Sequence, residues 1–251
     1  MSGGGGGETT AEAVADAGHI AVADLLAPSE VAEARAALDA VFTSEADIAV
    51  ERGWRTDAHL VAYALPAKHP ALLRLCLHPG AVALAREVLG DDAVLAGANG
   101  LDLPPGSTGQ ALHRDHPHPT PGITLYLHVV VALDDFRAEN GATLVVPASH
   151  RPPLAERVPA ELADRAVPVV VPPGAAVAFD GALVHAAGPN RTDERRRALH
   201  LFFARPWVQP HWDLPATIGD AASALGDEQR RLLGFGPGPR RWDPQARRVV
   251  R

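Results

Sequence analysis

The chain has 251 residues, 47% of them hydrophobic and 21% charged, a length and balance that suit one globular domain able to bury its own core. Lysine and arginine total 23 against 30 acidic residues, and a formal charge of -7 provides no long-range attraction for phosphate backbones or anionic lipid, so nucleic acid is not an expected partner. A single cysteine, Cys76, excludes an intramolecular disulfide, and its place among Leu73, Leu75 and Leu77 fits a small buried thiol rather than a nucleophile.

Residues 1–10 are rich in glycine and lack both the basic and the apolar block of a secretory signal, so a disordered tail is expected there. No apolar run reaches the roughly 18 residues that a membrane span needs, which makes the cytoplasm the expected compartment and a membrane no partner. Over 28–42, Val31, Ala34, Leu38 and Val41 recur at three and four behind Pro28 and Glu30, predicting an amphipathic helix. A second helical block is predicted over 70–90, broken at Pro79, with Val82, Ala85 and Val88 on one stripe and Gly90 as the stop.

The texture then changes to short β-favouring runs at 94–103, 123–133, 143–146, 167–171, 175–179 and 198–204. Asn140-Gly141, Pro172-Pro173-Gly174 and Gly188-Pro189-Asn190 punctuate them, and no interval holds a periodic crossover helix, which favours an antiparallel jelly roll. From Pro206 the pattern is irregular, with a helix expected around 220–233 and a basic, Gly/Pro-rich end. The expected organisation is one mainly β domain over 11–251: helices over 11–90 packed outside, a jelly-roll core over about 94–205, and an irregular segment over 206–251.

His113-Arg114-Asp115 follows a loop at 104–110, and in an extended piece residues two apart project to one side, so one imidazole and one carboxylate share a face. His185 follows Phe179-Asp180-Gly181 and lies 185 minus 113, or 72, residues further on, so only tertiary folding can bring it to the pair. Two histidines and a carboxylate on one face of an octahedral ion leave three adjacent positions, enough for a bidentate 2-oxo acid and dioxygen, an arrangement suited to non-haem iron(II). The far carboxylate of the oxo acid calls for a guanidinium fork, and Arg195, Arg196 and Arg197 precede the run 198–204. Alternation groups Arg196 with Ala198, His200 and Phe202, and Arg195 and Arg197 with Leu199, Leu201 and Phe203. Periodicity leaves open which set points inward.

The stretch 109–205 resembles the phytanoyl-CoA dioxygenase family of iron(II)/2-oxoglutarate-dependent oxygenases in the order of its landmarks. These are His113-x-Asp115, Ala132-Leu133-Asp134-Asp135, Asn140-Gly141-Ala142-Thr143, Val146-Pro147-Ala148-Ser149-His150, and His185 before Gly188-Pro189-Asn190. Gly18-His19-Ile20-Ala21-Val22, ahead of the helix starting near Pro28, is similar to the family's entry segment. The resemblance implies a double-stranded β-helix, that is, a cupin-like jelly roll. It implies iron(II) on His113, Asp115 and His185, with 2-oxoglutarate and dioxygen as cosubstrates and Arg196, eleven residues beyond the second metal histidine, as the oxoglutarate anchor. Thr143 is either a further hydroxyl to the cosubstrate or a structural strand residue. Ala148 stands where the family usually has glycine, Ala187 where serine is frequent and Val130 where tryptophan is frequent, departures that touch secondary contacts and not the triad.

The implied reaction oxidises a small molecule while oxoglutarate leaves as succinate and carbon dioxide. Asp115 argues against halogenation, because related halogenases carry a small residue there to admit halide. The same site also suits desaturation, oxidative ring closure or epimerisation. Rivals from other classes are a non-catalytic cupin-like binder and a zinc hydrolase, the latter leaving Arg196 unexplained. Richness in alanine, glycine, arginine and proline suggests a GC-rich genome, where such proteins often tailor natural products, antibiotics included. Of the other histidines, His116 and His118 among prolines suit an exposed loop, His150 a hydrogen-bonded turn, and His200 a core position better than a cavity wall. Trp54, Trp207 and Trp212 fit either an entrance wall or helix packing. Asp193 and Glu194 argue against reading Arg195 to Arg197 as a phosphate patch.

Overall fold

The computed structural model describes residues 8–115, 120, 122–152, 157–236, 241–243, 245 and 248–250. His116 and His118 therefore lie outside the described residues, as do residues 1–7 of the expected tail. The last part of that expected tail is instead structured, which is a correction: Thr9 caps helix α1 (Thr10–Asp16), its hydroxyl accepting from Glu12 N while the Glu12 carboxylate accepts from Thr9 N. Helix α2 (Pro28–Ser44) buries Val31, Ala34, Leu38 and Val41, the four residues of the expected stripe, and α3 (Ala46–Glu51) continues from its end. Proline divides the next block as anticipated, into α4 (Pro70–Cys76) and α5 (Pro79–Leu89), each entered through a histidine whose Nδ1 accepts a backbone N–H. Cys76 is fully buried in α4, and burial pushes its thiol pKa up, as befits an inert packing group.

The strands are β1 (His19–Val22), β2 (Leu60–Ala62), β3 (Val94–Leu103), β4 (Tyr126–Ala132), β5 (Thr143–Val145), β6 (Val167–Val169), β7 (Ala176–Asp180), β8 (His185–Ala187) and β9 (Arg196–Ala204). They form two antiparallel sheets, β1-β7-β4-β9-β3-β2 and β6-β5-β8, the expected cupin-like jelly roll with helices outside. Leu199, Leu201 and Phe203 of β9 pack with Leu38, Leu72 and Ala85 of the helices, whereas Ala198, Val130, Val177 and Phe179 pack between the sheets with Val145 and Leu183. Both faces of the central strands of the six-stranded sheet are thus covered, one by helices and one by the smaller sheet. The usual alternation of apolar and polar residues is erased on its central strands, which explains why periodicity could not orient the arginines.

Two expectations beyond Pro206 change. A single helix at 220–233 is replaced by α6 (Leu214–Ile218), a 3-10 turn at Gly219–Ala224 and α7 (Asp227–Leu232), because Gly219 takes φ +57° and Gly226 serves as the N-cap of α7. Within the end expected to be irregular, β10 (Arg241–Asp243) and β11 (Arg248–Val250) pair antiparallel.

Ala148 has φ +60°, so the glycine usual at this position answers a backbone requirement. Its N–H donates to Ala17 O at 2.8 Å, fastening the turn to the end of α1. A left-handed alanine costs about 1–2 kcal/mol, and glycine gives back roughly 0.5–1 kcal/mol through unfolded-chain entropy. Ala148→Gly is therefore expected to stabilise the fold by up to about 1 kcal/mol, seen as a higher urea midpoint at unchanged m-value; an unchanged or lower midpoint contradicts the strain.

Candidate metal centre

His113 and His185 exchange backbone hydrogen bonds, His113 N to His185 O at 2.9 Å and His185 N to His113 O at 3.0 Å. Residues joined in this way across an antiparallel pair carry their side chains on the same face. The two imidazoles consequently stand together, ring centroids 4.5 Å apart, although 72 residues separate them in the chain. Nδ1 of His113 lies 2.8 Å from Ala111 O and Nδ1 of His185 lies 3.0 Å from Leu183 O, so each ring is turned by its own backbone to present Nε2. Asp115, two residues past His113, brings Oδ1 to 3.6 Å from His113 Nε2 and Oδ2 to 3.4 Å from His185 Nε2. One donor atom from each of the three lies within 4.8 Å of the others, a spacing that can surround a single ion and leave its opposite face open.

A second group meets the same distance criterion: Asp115, His128 and His200. His128 is buried behind the carboxylate, with Nδ1 3.3 Å from Asp115 Oδ2 and 3.2 Å from His200 Nε2. That nitrogen is already shared between two partners, while Nε2 of His113 and of His185 are left for a ligand, so His128 is suited to steadying the carboxylate. Burial lowers the pKa of His113, with the neighbouring His185 adding to it, drives His128 down to about 3, and takes His200 well below its ordinary value. These rings are neutral at physiological pH, the state in which imidazole binds metal. Burial opposes the charge on Asp115, but His128 and His185 outweigh it and hold the carboxyl well below the usual range, an ionised oxygen donor.

The donors open onto a cavity of about 250 Å³ between the sheets, lined also by Thr143, Gln110, Arg196 and His200. Arg196 is 1% exposed, its guanidinium lies 4.3 Å over the Phe136 ring, and Nε and Nη2 both donate to Gly141 O. Nη1 has no partner, and burial lowers the pKa to about 10. A desolvated guanidinium with one free fork arm calls for an anion. Arg195 and Arg197 turn the other way: Arg195 pairs with Asp102 at 2.8 Å, and Arg197 grips Asp134 through two bonds of 2.9 and 3.0 Å and reaches Asp39 at 2.7 Å. The outer arginines are neutralised by these distant carboxylates and not by Asp193 and Glu194, the residues next to them that the sequence suggested; Glu194 pairs with Arg137 instead.

Thr143, buried on β5, faces the cavity. His200 is a cavity wall, contrary to the core role expected, because it shares the inward set with Arg196. His150 sits in a turn with Nε2 3.3 Å from Ala15 O. Trp54 and Trp212 flank Tyr63, with centroids at 5.6 and 5.7 Å, beside the cavity, whereas Trp207 is 68% exposed beneath Arg205. Sequence reasoning passed over Gln110, whose Oε1 accepts from Ala187 N at 3.0 Å and whose amide nitrogen is thereby turned from that bond. Its place three residues ahead of His113 was the available signal. His128 was passed over too, since its partners come from other strands.

A model of the family described as phytanoyl-CoA dioxygenase matches residues 14–198. A protein named dioxygenase Trt7, from Aspergillus terreus, is 34% identical over 221 residues, covering 77% of this chain and 74% of its own length. Among solved structures, the non-haem α-ketoglutarate-dependent carbocyclase SnoK from nogalamycin biosynthesis superposes with TM-score 0.64 at 24% identity, over 88% of this chain and 95% of its own. The epimerase SnoN, solved with Fe3+, α-ketoglutarate and a nogalamycin compound, gives 0.63 at 22% identity, over 87% and 91%.

The segment leading to His113 passes close to the end of β8 at Gly109, which has φ +76°; a Cβ there would stand 2.7 Å from Pro189 N and 2.8 Å from Ala187 O. Gly106 has a similar φ of +80° but open space around it. Gly109→Ala should displace His113 and weaken cobalt(II) binding at least tenfold in an anaerobic titration. Gly106→Ala should cost only about 1 kcal/mol of stability and leave cobalt affinity as it is. Equal metal affinity in the two variants contradicts the account.

Proposed function

Because the chain belongs to the phytanoyl-CoA dioxygenase family, we propose that His113, Asp115 and His185 hold iron(II), that Arg196 receives the far carboxylate of 2-oxoglutarate, and that a small-molecule substrate is oxidised beside them. One observation carries the reading: a fully buried guanidinium, Arg196, with an unpartnered Nη1, lines the cavity that the two histidines and the carboxylate share. A zinc hydrolase leaves that group unexplained. Thr143 and Gln110 line the same cavity and serve as further contacts to the cosubstrate.

Iron(II), with oxoglutarate and dioxygen, supplies an oxidant for an unactivated C–H bond, oxoglutarate leaving as succinate and carbon dioxide. The chain's own residues position and protect. The His113–His185 backbone pair fixes the direction of both imidazoles, His128 steadies Asp115, and the apolar residues Val130, Phe179 and Phe202 keep water from the reacting carbon. Asp115 occupies the place that halide would need, which favours hydroxylation. The role we assign is tailoring of a natural product in the cytoplasm. No described helix is long and apolar enough to cross a membrane.

The test is succinate formation from oxoglutarate by protein loaded with iron(II) in air, with product mass read in parallel; hydroxylation adds one oxygen, ring closure or desaturation removes two hydrogens, and epimerisation leaves the mass unchanged. Arg196→Met should raise the oxoglutarate Kd roughly 100-fold, about 3 kcal/mol, the usual order for losing one partner of a buried charge-assisted contact. Metal affinity should be unaffected. Wild-type protein that binds no oxoglutarate, or an Arg196→Met variant that binds it normally, ends the reading.

A further inference from the structure

Several polar atoms in the cavity are used neither by the metal donors nor by the oxoglutarate anchor. Asn99 on β3 and His200 on β9 are direct partners in the strand register, so their side chains stand side by side on the inner face. Oδ1 of Asn99 is buried with no hydrogen-bond partner. His59, one residue before β2, lines the same cavity from the sheet edge, and its Nδ1 is likewise buried and unpartnered. The register of β2 on β3 sets His59 level with Leu103 and Tyr63 level with Asn99, so the two atoms stand at different heights in the cavity, and a hydroxyl beside Tyr63 would satisfy Asn99 Oδ1.

The remaining lining is ring-shaped and uncharged. Tyr63, held between Trp54 and Trp212, walls one side. Phe202, stacked on His200 at 4.4 Å, walls another. Among the described lining residues, Asp115 and Arg196 are the only Asp, Glu, Lys or Arg, and both are already engaged in the functional reading given above. At about 250 Å³ the cavity lies below the roughly 300–1,000 Å³ of common ligand pockets, so with oxoglutarate in place it admits one or two rings of a larger molecule.

We propose that the part of the substrate entering this site is an uncharged ring bearing a hydroxyl, the hydroxyl donating to Asn99 Oδ1 and the ring lying against Tyr63 and Phe202. This rests on the oxygenase reading, which commits Asp115 and Arg196 to other duties. A free amino acid, with both charges next to its reacting carbons, finds no counter-charge here.

The test uses full-length protein with iron(II) and oxoglutarate bound, without oxygen, titrated calorimetrically with three probes built on one ring system: 2-naphthol, 2-methylnaphthalene and 2-naphthoate. Naphthol should bind at least tenfold more tightly than either of the others. Asn99→Leu should reduce that preference over methylnaphthalene about tenfold and leave oxoglutarate affinity unchanged; should the leucine variant fail to fold, Asn99→Ala replaces it with the same expectation. Tighter binding of naphthoate, absence of binding by both neutral probes while oxoglutarate binds normally, or a hydroxyl preference that survives the substitution at Asn99 overturns the proposal and leaves the oxygenase reading standing. Wild-type protein that takes up no oxoglutarate overturns that underlying reading, and this proposal with it.

Discussion

The reciprocal pair of backbone hydrogen bonds between His113 and His185 is the constraint on which the rest of the site depends. It sets the relative height and facing of two imidazoles from distant parts of the chain, with no side chain involved. Strand β8 is held on its other edge by β5, through Val145 opposite His185, so the pair is the outermost rung of a ladder anchored in the smaller sheet. Asp115 then needs only to lie two residues further along. The carbonyls of Ala111 and Leu183 complete the arrangement by fixing ring rotation, which places the choice of the nitrogen turned to the cavity in the main chain as well.

The arginine triplet shows how one strand serves two environments. Arg195 and Arg197 emerge on the helix side and meet Asp39 of α2, Asp102 of β3 and Asp134. The side chains of Arg197 and Asp134 are each 15% exposed, and a two-bond guanidinium–carboxylate contact at that depth does more for strand position than an exposed pair would. Arg196 is forced to the opposite side by alternation alone, into a space with one carbonyl and an aromatic face to meet it. Charge is thus satisfied where the fold needs rigidity and left unsatisfied where a ligand is to bind.

Much of this was legible in the sequence because it follows from local rules. The helical stripe of α2, the break at Pro79, the limits of β3 and the two-residue spacing of His113 and Asp115 all depend on neighbours in the chain. Strands β1, β2 and β8 were not legible, since three or four residues display no period and their pairing partners lie far away. Nor could the sequence orient β9, because the alternating signal vanishes when one face is buried by helices and the other by a second sheet. His200 was misjudged for the same reason. The helix expected at 220–233 failed on a local point given too little weight, two glycines at 219 and 226 where one element was expected to run across the latter. The departure at Ala148 was legible as an oddity, and only the backbone angle gave it meaning.

The metal-facing histidines are fastened to the smaller sheet, whereas His59, Tyr63 and Asn99 come from β2, β3 and the edge of the larger one. Mutation can therefore revise one wall of the chamber without retuning the other. A change at the edge of the larger sheet leaves the His113–His185 backbone pair untouched, and it is separated by β3 from Arg196 on β9 and by β3 and β9 from His128 on β4. Strand β2, three residues tied on one side only, is the part of that wall where the backbone gives most easily to a new side chain.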